Sequence, residues 1–349
     1  MKKGILFLAR MAALIALAAL FFGCDRRERL HIFNWAVYTP QSVIEAFEKE
    51  FGVRVVYTEF ASNEEMLARL MAGGGKGFDI VFPSGYYVGI MIEQGLLAQL
   101  DHSLMPNLVN INPELLEKVK YDPAMDYAIP YFWGGAGVIV NTAMVPEFER
   151  DISIFSREDL AGRMTMLDDP RHVIGDALNH LGFSPNSRNP EEIAAARDHI
   201  IATWRPNLVT FNSEIIGTGF ANGEFWVVQT WAENVFLEIM ENEEMMANAV
   251  FFLPPGTPSY TDNMVLLKDS RNKELAHKFI DFIHRPDIYA LFLDEFGLPS
   301  TVNIPARQYT TVTPWFSVED MELTGEVFDD VGPAMAHFTD AWFSIRIGN

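Results

Sequence analysis

Short apolar runs rich in β-branched and aromatic residues alternate with amphipathic helical stretches along almost the whole chain, and this alternation limits the fold more than any other feature. The runs Leu30 to Trp35, Val53 to Thr58, Asp79 to Pro83, Val138 to Asn141, Arg163 to Leu167 and Phe225 to Thr230 read as strands. Pro40 to Phe51 and Asn63 to Ala72 read as helices between them. A strand that returns through a helix to a parallel neighbour is a βαβ unit, so the pattern predicts an α/β fold with largely parallel sheets. Ser62-Asn63-Glu64-Glu65 is a capping box, whose serine and glutamate satisfy free amides at a helix start. The glycine-rich stretch from Gly73 to Gly77 follows a helix and lacks the Gly-Lys-Ser/Thr ending of a phosphate loop, so it reads as a helix stop and a turn.

The N-terminus carries Met1-Lys2-Lys3, an apolar run from Met11 to Phe22, and then Gly23-Cys24. A basic start, a short apolar core and a small residue before the cut make a secretory signal. A run of about a dozen apolar residues is too short to cross a bilayer as a helix, which takes ~20. Cys24 is the only cysteine, so no disulfide forms within the chain. A lone thiol behind Phe21-Phe22-Gly23 resembles a bacterial lipobox, with Phe21 where such boxes carry leucine, and Cys24 is expected to be lipidated. Acyl chains contribute roughly 0.8 kcal/mol per buried methylene, enough in pairs to hold a domain at a membrane.

Cleavage of the signal removes three of the 26 basic residues (Lys2, Lys3 and Arg10), which leaves 23 against 47 acidic ones and a formal charge of −24. Such a balance disfavours nucleic acid and anionic lipid surfaces and attracts cations. The roughly 325 residues that remain exceed one ordinary hydrophobic core, so two lobes are expected. No HExxH, GxSxG or CxxC motif occurs, and the eight histidines show no metal-binding spacing. The reading is therefore of a chain that is not an enzyme and needs no cofactor or metal.

Aromatic and acidic residues gather at the ends of the expected strands. Trp35 and Tyr38 follow the first; Ser84, Tyr86 and Tyr87 follow Pro83; Asp168 and Asp169 follow Leu167; Trp231 and Glu233 follow Thr230; Tyr260 and Asp262 precede the run Met264 to Leu267. In open α/β sheets ligands bind beyond the carboxyl ends of strands. Any one of these rings serves packing as readily as binding, but five clusters together point to a site. Carboxylates neutralise ammonium groups, while aromatic faces cover methylenes and attract cations, at about 0.5 to 2 kcal/mol per contact. A flexible alkyl chain with ammonium groups at intervals, that is a polyamine, is the ligand this mixture fits.

The segments FNWAVY, YTEFASNEEMLARL, FDIVFPSGYYV, DYAIPYFWG and the NMVL run after Asp262 resemble the periplasmic spermidine/putrescine-binding proteins of ABC importers. The resemblance implies a two-lobed periplasmic-binding-protein type II fold with the ligand cleft at the hinge. Residues 1–23 would be the signal peptide and 24–29 a tether. Residues 30–132 and 258–303 would form the N-terminal lobe, and 133–257 and 304–349 the C-terminal lobe. It further implies a ligand-binding set of Trp35, Tyr38, Ser84, Tyr86, Asp169, Trp231, Tyr260 and Asp262, to which Asp168 and Glu233 are added from their positions at the strand ends. Val37, His172, Leu298 and Phe328 stand where the family carries acidic or polar groups, so a diamine, putrescine, is expected over spermidine. A neighbouring His172 is expected to weaken binding when protonated. The implied partners are putrescine or spermidine, an ABC transporter permease and the membrane through Cys24; the protein is expected to be a periplasmic, lipid-anchored monomer. Two alternatives stay open: a ferric-ion binder using Tyr86, Tyr87 and His172, and a secreted hydrolase using Asp168 and Asp169.

Overall fold

The computed structural model describes residues 27–317 and 325–348. Cys24 and the signal segment lie outside the described residues. The chain begins with β1 (Arg29–Trp35), α1 (Gln41–Phe51), β2 (Arg54–Phe60), α2 (Asn63–Gly73), β3 (Ile80–Val81), α3 (Gly85–Glu93), α4 (Pro113–Lys118) and β4 (Ala128–Gly135). It continues through β5 (Gly137–Asn141), β6 (Met164–Met166), α5 (Pro170–His180), α6 (Pro190–His199), β7 (Leu208–Phe211), α7 (Ile216–Ala221), β8 (Val227–Thr230), α8 (Ala232–Ile239), α9 (Glu243–Asn248) and β9 (Ala249–Phe252). It then returns with β10 (Ser259–Leu266), α10 (Lys273–Ile283) and α11 (Pro286–Phe296), and ends in α12 (Met335–Ile347).

Two five-stranded sheets result, ordered β2-β1-β3-β10-β4 and β7-β6-β8-β5-β9. Both are mixed: β10 runs antiparallel to β3 and β4, and β5 runs antiparallel to β8 and β9. The remaining pairs are parallel, as the alternating pattern predicts. The antiparallel strand in each sheet follows from the crossings between sheets, because a chain that enters from the other lobe arrives at the opposite end.

Helices cover the sheets and bury apolar stripes. On α1 the residues Val43, Ile44 and Phe47 face inward, and Phe47 meets the rings of Phe51, Phe279 and Phe282. Burying a large apolar side chain contributes about 1.5 to 3 kcal/mol, so such stripes supply much of the folding energy. At the start of α2 the Ser62 hydroxyl accepts from Glu65 N at 3.1 Å, while Glu65 reaches back to Ala61 N at 2.9 Å. That is the expected capping box, closed one residue further upstream. At the other end Gly74 is left-handed, and the amide of Gly75 bonds the carbonyl of Leu70 at 2.7 Å, which stops the helix as read.

The sheets exchange the chain at Ala136, between β4 and β5, and again over residues 253–258. The expected division after residue 132 falls inside β4, which stays in the first sheet up to Gly135. The expected division after residue 303 falls before a turn, Ile304–Gln308, that packs against α11. We therefore propose lobe boundaries at Ala136, within 253–258, and in the segment before Trp315. Trp315 packs at a tilt against Phe236 and Phe251 of the second lobe while its amide donates to Gly297 O at 3.2 Å.

Candidate functional site

The site is built around one unusual strand. All eight residues of β10 are buried, yet three in succession, Thr261, Asp262 and Asn263, are polar. A bulge between Asp262 and Asn263 breaks the ladder with β4 and re-aims side chains, a common device near functional sites. Asp262 is 5 % exposed. Its carboxylate accepts from Ser84 Oγ at 2.7 Å and Tyr38 Oη at 2.8 Å. Burial pushes its pKa up to about 6, against the pull of those two hydroxyls.

Each donor is itself fixed. Ser84 occupies the N-cap of α3 but makes no capping bond; its hydroxyl is turned to Asp262, and its amide is satisfied by Asn63 Oδ1 at 3.1 Å. Asn63 also donates to Ser84 Oγ and to Tyr86 Oη, at 3.1 and 3.2 Å. Tyr38 lies past the turn that ends β1, where Val37 has φ of +52°. A β-branched residue in the left-handed region is strained, and such strain is held at positions where the surrounding structure over-determines it. Here Tyr131 Oη donates to Tyr38 O at 2.6 Å, and Asn34 accepts from Trp35 N at 2.8 Å.

The second lobe supplies the facing wall. Trp231 is the N-cap of α8 and Glu233 lies in its first turn. Burial pushes Glu233 up to about 7, with Asp262 close enough to add to the rise. His172, on α5, is packed edge-on against Trp231, Tyr260 and Phe328, with ring centroids 5.6, 5.6 and 5.0 Å away. Burial lowers its pKa, so the imidazole is a neutral wall. Phe132 stacks on Tyr260 at 6.2 Å and tilts against Tyr38 at 5.8 Å. Burial raises the phenols of Tyr38, Tyr86 and Tyr260 well above the usual value, so all three are neutral donors.

Of the ten residues read from sequence, Tyr38, Ser84, Tyr86, Trp231, Glu233, Tyr260 and Asp262 converge on this crevice. Asp169 reaches its edge as the N-cap of α5, where it accepts from His172 N at 2.9 Å. Trp35 packs on Phe60 at 4.6 Å with its indole N–H buried. Asp168 is a correction: it is exposed, forms an ion pair with Arg346 and accepts from Trp342 Nε1 at 3.2 Å, so it faces α12. Side chains of successive residues at a strand end point opposite ways. The same divergence separates the two aspartates offered for a hydrolase. Tyr86 and Tyr87 also part: Tyr87 donates to Glu64 at 2.9 Å, and burial raises both phenols, which opposes the tyrosinates a ferric ion requires.

Asn63, Phe132 and Arg171 join the site beyond the expected residues, while His172 and Phe328 stand at positions the resemblance had already pointed to. Asn63 had a signal, since a buried amide directly after a capping serine is more than the cap needs. Phe328 had no local signal beyond the resemblance, because it arrives on an irregular strap, 325–331, tied to the second lobe by Asn186 and Arg188 and to Ser259 by paired backbone bonds.

The chain belongs to the family of bacterial extracellular solute-binding proteins, whose model matches residues 42–314. Among its relatives, the spermidine/putrescine-binding periplasmic protein of Escherichia coli is 30 % identical over 96 % of this chain and 98 % of its own length. The putrescine-binding periplasmic protein PotF of the same organism is 32 % identical, over 77 % of this chain and 76 % of its own. The crystal structure of the Tp0655 (TpPotD) lipoprotein of Treponema pallidum has a TM-score of 0.88 at 42 % identity, covering 92 % of this chain and 100 % of that one.

Proposed function

We propose that this protein is an extracytoplasmic receptor for a small linear polyamine, putrescine or spermidine, which it delivers to the permease of an ABC importer. The observation that carries the reading is Asp262: a buried carboxylate, ringed by Tyr38, Tyr260 and Phe132, that accepts from two hydroxyls and, among the described residues, forms no ion pair with a lysine or arginine. An uncompensated buried charge is costly, and an ammonium group removes that cost. At about 4 Å the attraction is roughly 4 kcal/mol at an effective dielectric near 20, before desolvation is subtracted. The rings add cation–π contacts and cover the methylenes.

Trp231 and Glu233 belong to one lobe and Asp262 to the other, so a bound dication joins the two and closure is favourable with ligand present. We further propose that Cys24 carries the acyl anchor and that the receptor works as a periplasmic monomer. Thermal-shift and calorimetric titration with putrescine, spermidine, lysine, glutamate and maltose test the reading. A saturating polyamine is expected to raise Tm by several degrees while the amino acids and sugar do not; a flat response to both polyamines overturns it.

A further inference from the structure

Along the chain the histidines show no metal-binding spacing, yet folding brings two of them together on the second lobe. His180 is the last residue of α5 and His199 the last of α6. Their rings lie 5.0 Å apart, centre to centre, at an interplanar angle of 37°. His180 is exposed and His199 half-buried, so an ion and its water can reach both. Among the described residues no hydrogen bond occupies the His180 ring. The pair sits about 12 Å along α5 from His172, outside the crevice.

The local chain fixes which nitrogen of His199 is available. Past α6 the backbone widens into a π turn, Ile200–Trp204, a distortion frequent at functional sites. It brings Thr203 back to the ring: Thr203 Oγ1 donates to His199 O at 2.8 Å and lies 3.2 Å from His199 Nε2. A hydroxyl has one proton, and this one is spent on the carbonyl, so Nε2 is the donor and the lone pair sits on Nδ1. Burial, and then the neighbouring His180, lower the pKa of His199, which keeps that lone pair free of a proton at neutral pH. The carbonyl end of α5 adds a field that favours a cation at His180.

Two imidazoles on one ion, each with its nitrogen about 2.0–2.1 Å from the metal, have ring centres roughly 4.5 to 5.2 Å apart for bond angles from square-planar to tetrahedral. The separation of 5.0 Å falls inside that window. Among the described residues no group of three or more histidines, cysteines or acids could hold a metal, so these two rings act with water alone. Imidazole without carboxylate suits copper(II), nickel(II) and zinc(II), whereas calcium and magnesium demand oxygen.

We infer that His180 and His199 form a two-imidazole site for a late first-row divalent ion, copper(II) before nickel(II) and zinc(II), with His199 binding through Nδ1. The site stands apart from the polyamine reading, and either can fail without the other.

Copper(II) titrated calorimetrically into the ligand-free protein tests it, with electron paramagnetic resonance to count the bound nitrogens. The wild type is expected to bind copper(II) with two imidazole nitrogens, more tightly than nickel(II) or zinc(II), and to give no heat with magnesium. His180→Asn and His199→Asn are each expected to weaken copper(II) at least tenfold and to lose one nitrogen; His102→Asn, an exposed histidine in the first lobe, is expected to change it less than twofold. Should His199→Asn lower the melting temperature, His180→Asn at its exposed position decides. Absence of copper binding, binding untouched by His180→Asn, or a loss as large in His102→Asn overturns the inference.

Discussion

Asp262 and Glu233 are acids kept in a place that favours their neutral forms, and this makes binding depend on pH. Both pKa values are raised by burial, to about 6 and about 7. In the ligand-free protein the folded state holds these protons to higher pH than the unfolded chain does. Their contribution to stability is therefore full below the ordinary carboxylate range near pH 4 and is lost as pH rises through 6 to 7, on the order of 3 kcal/mol for Asp262. A diamine requires both groups ionised, so its affinity should climb from pH 5 to 7 and level off above. Asp262→Asn should weaken putrescine by at least 100-fold, raise the Tm of the ligand-free protein at pH 7.5 and flatten the lower part of the pH profile. Calorimetry and melting curves at pH 5, 6, 7 and 8 check all three. The weakening at acid pH expected from His172 passes to these carboxyls, because burial keeps that imidazole neutral; His172→Gln should leave the profile in place.

Among the elements, α8 and α11 set how the lobes meet. Gly297 ends α11 in the left-handed region, with φ of +63°, and a Cβ there would overlap the Phe236 ring of α8. Gly297→Ala should cost about 1 to 3 kcal/mol by denaturant melts. It should also weaken putrescine by pushing Glu233 away; unchanged affinity would separate the two roles. The elements were legible where local chemistry decides them: β1 and β2 by apolar runs, α2 by its cap and glycine stop. Long-range pairing was not. β3 shrinks to Ile80–Val81, although Asp79 and Phe82 still bond His31 and Phe33 of β1 through their amides, at 2.8 and 3.2 Å. Asp168 and Asp169 read alike in sequence, and only the strand-end geometry, with Arg346 arriving from α12, tells them apart. Phe328 depends on a strap without periodicity, so nothing local announced it.

At the scale of the molecule, the proposed division of acids between lobes would make the ligand a bridge. Small-angle scattering should show a smaller radius of gyration with saturating putrescine than without, and an unchanged radius would count against a closing motion. Among the described residues no helix is long and apolar enough to cross a membrane. Ala136 is the single residue between a strand of one sheet and a strand of the other. A small torsion there swings two rigid plates about a short axle and magnifies into a wide displacement at the rims. If the crossings over 253–258 and before Trp315 bend with it, capture and release need no ladder in either sheet to break.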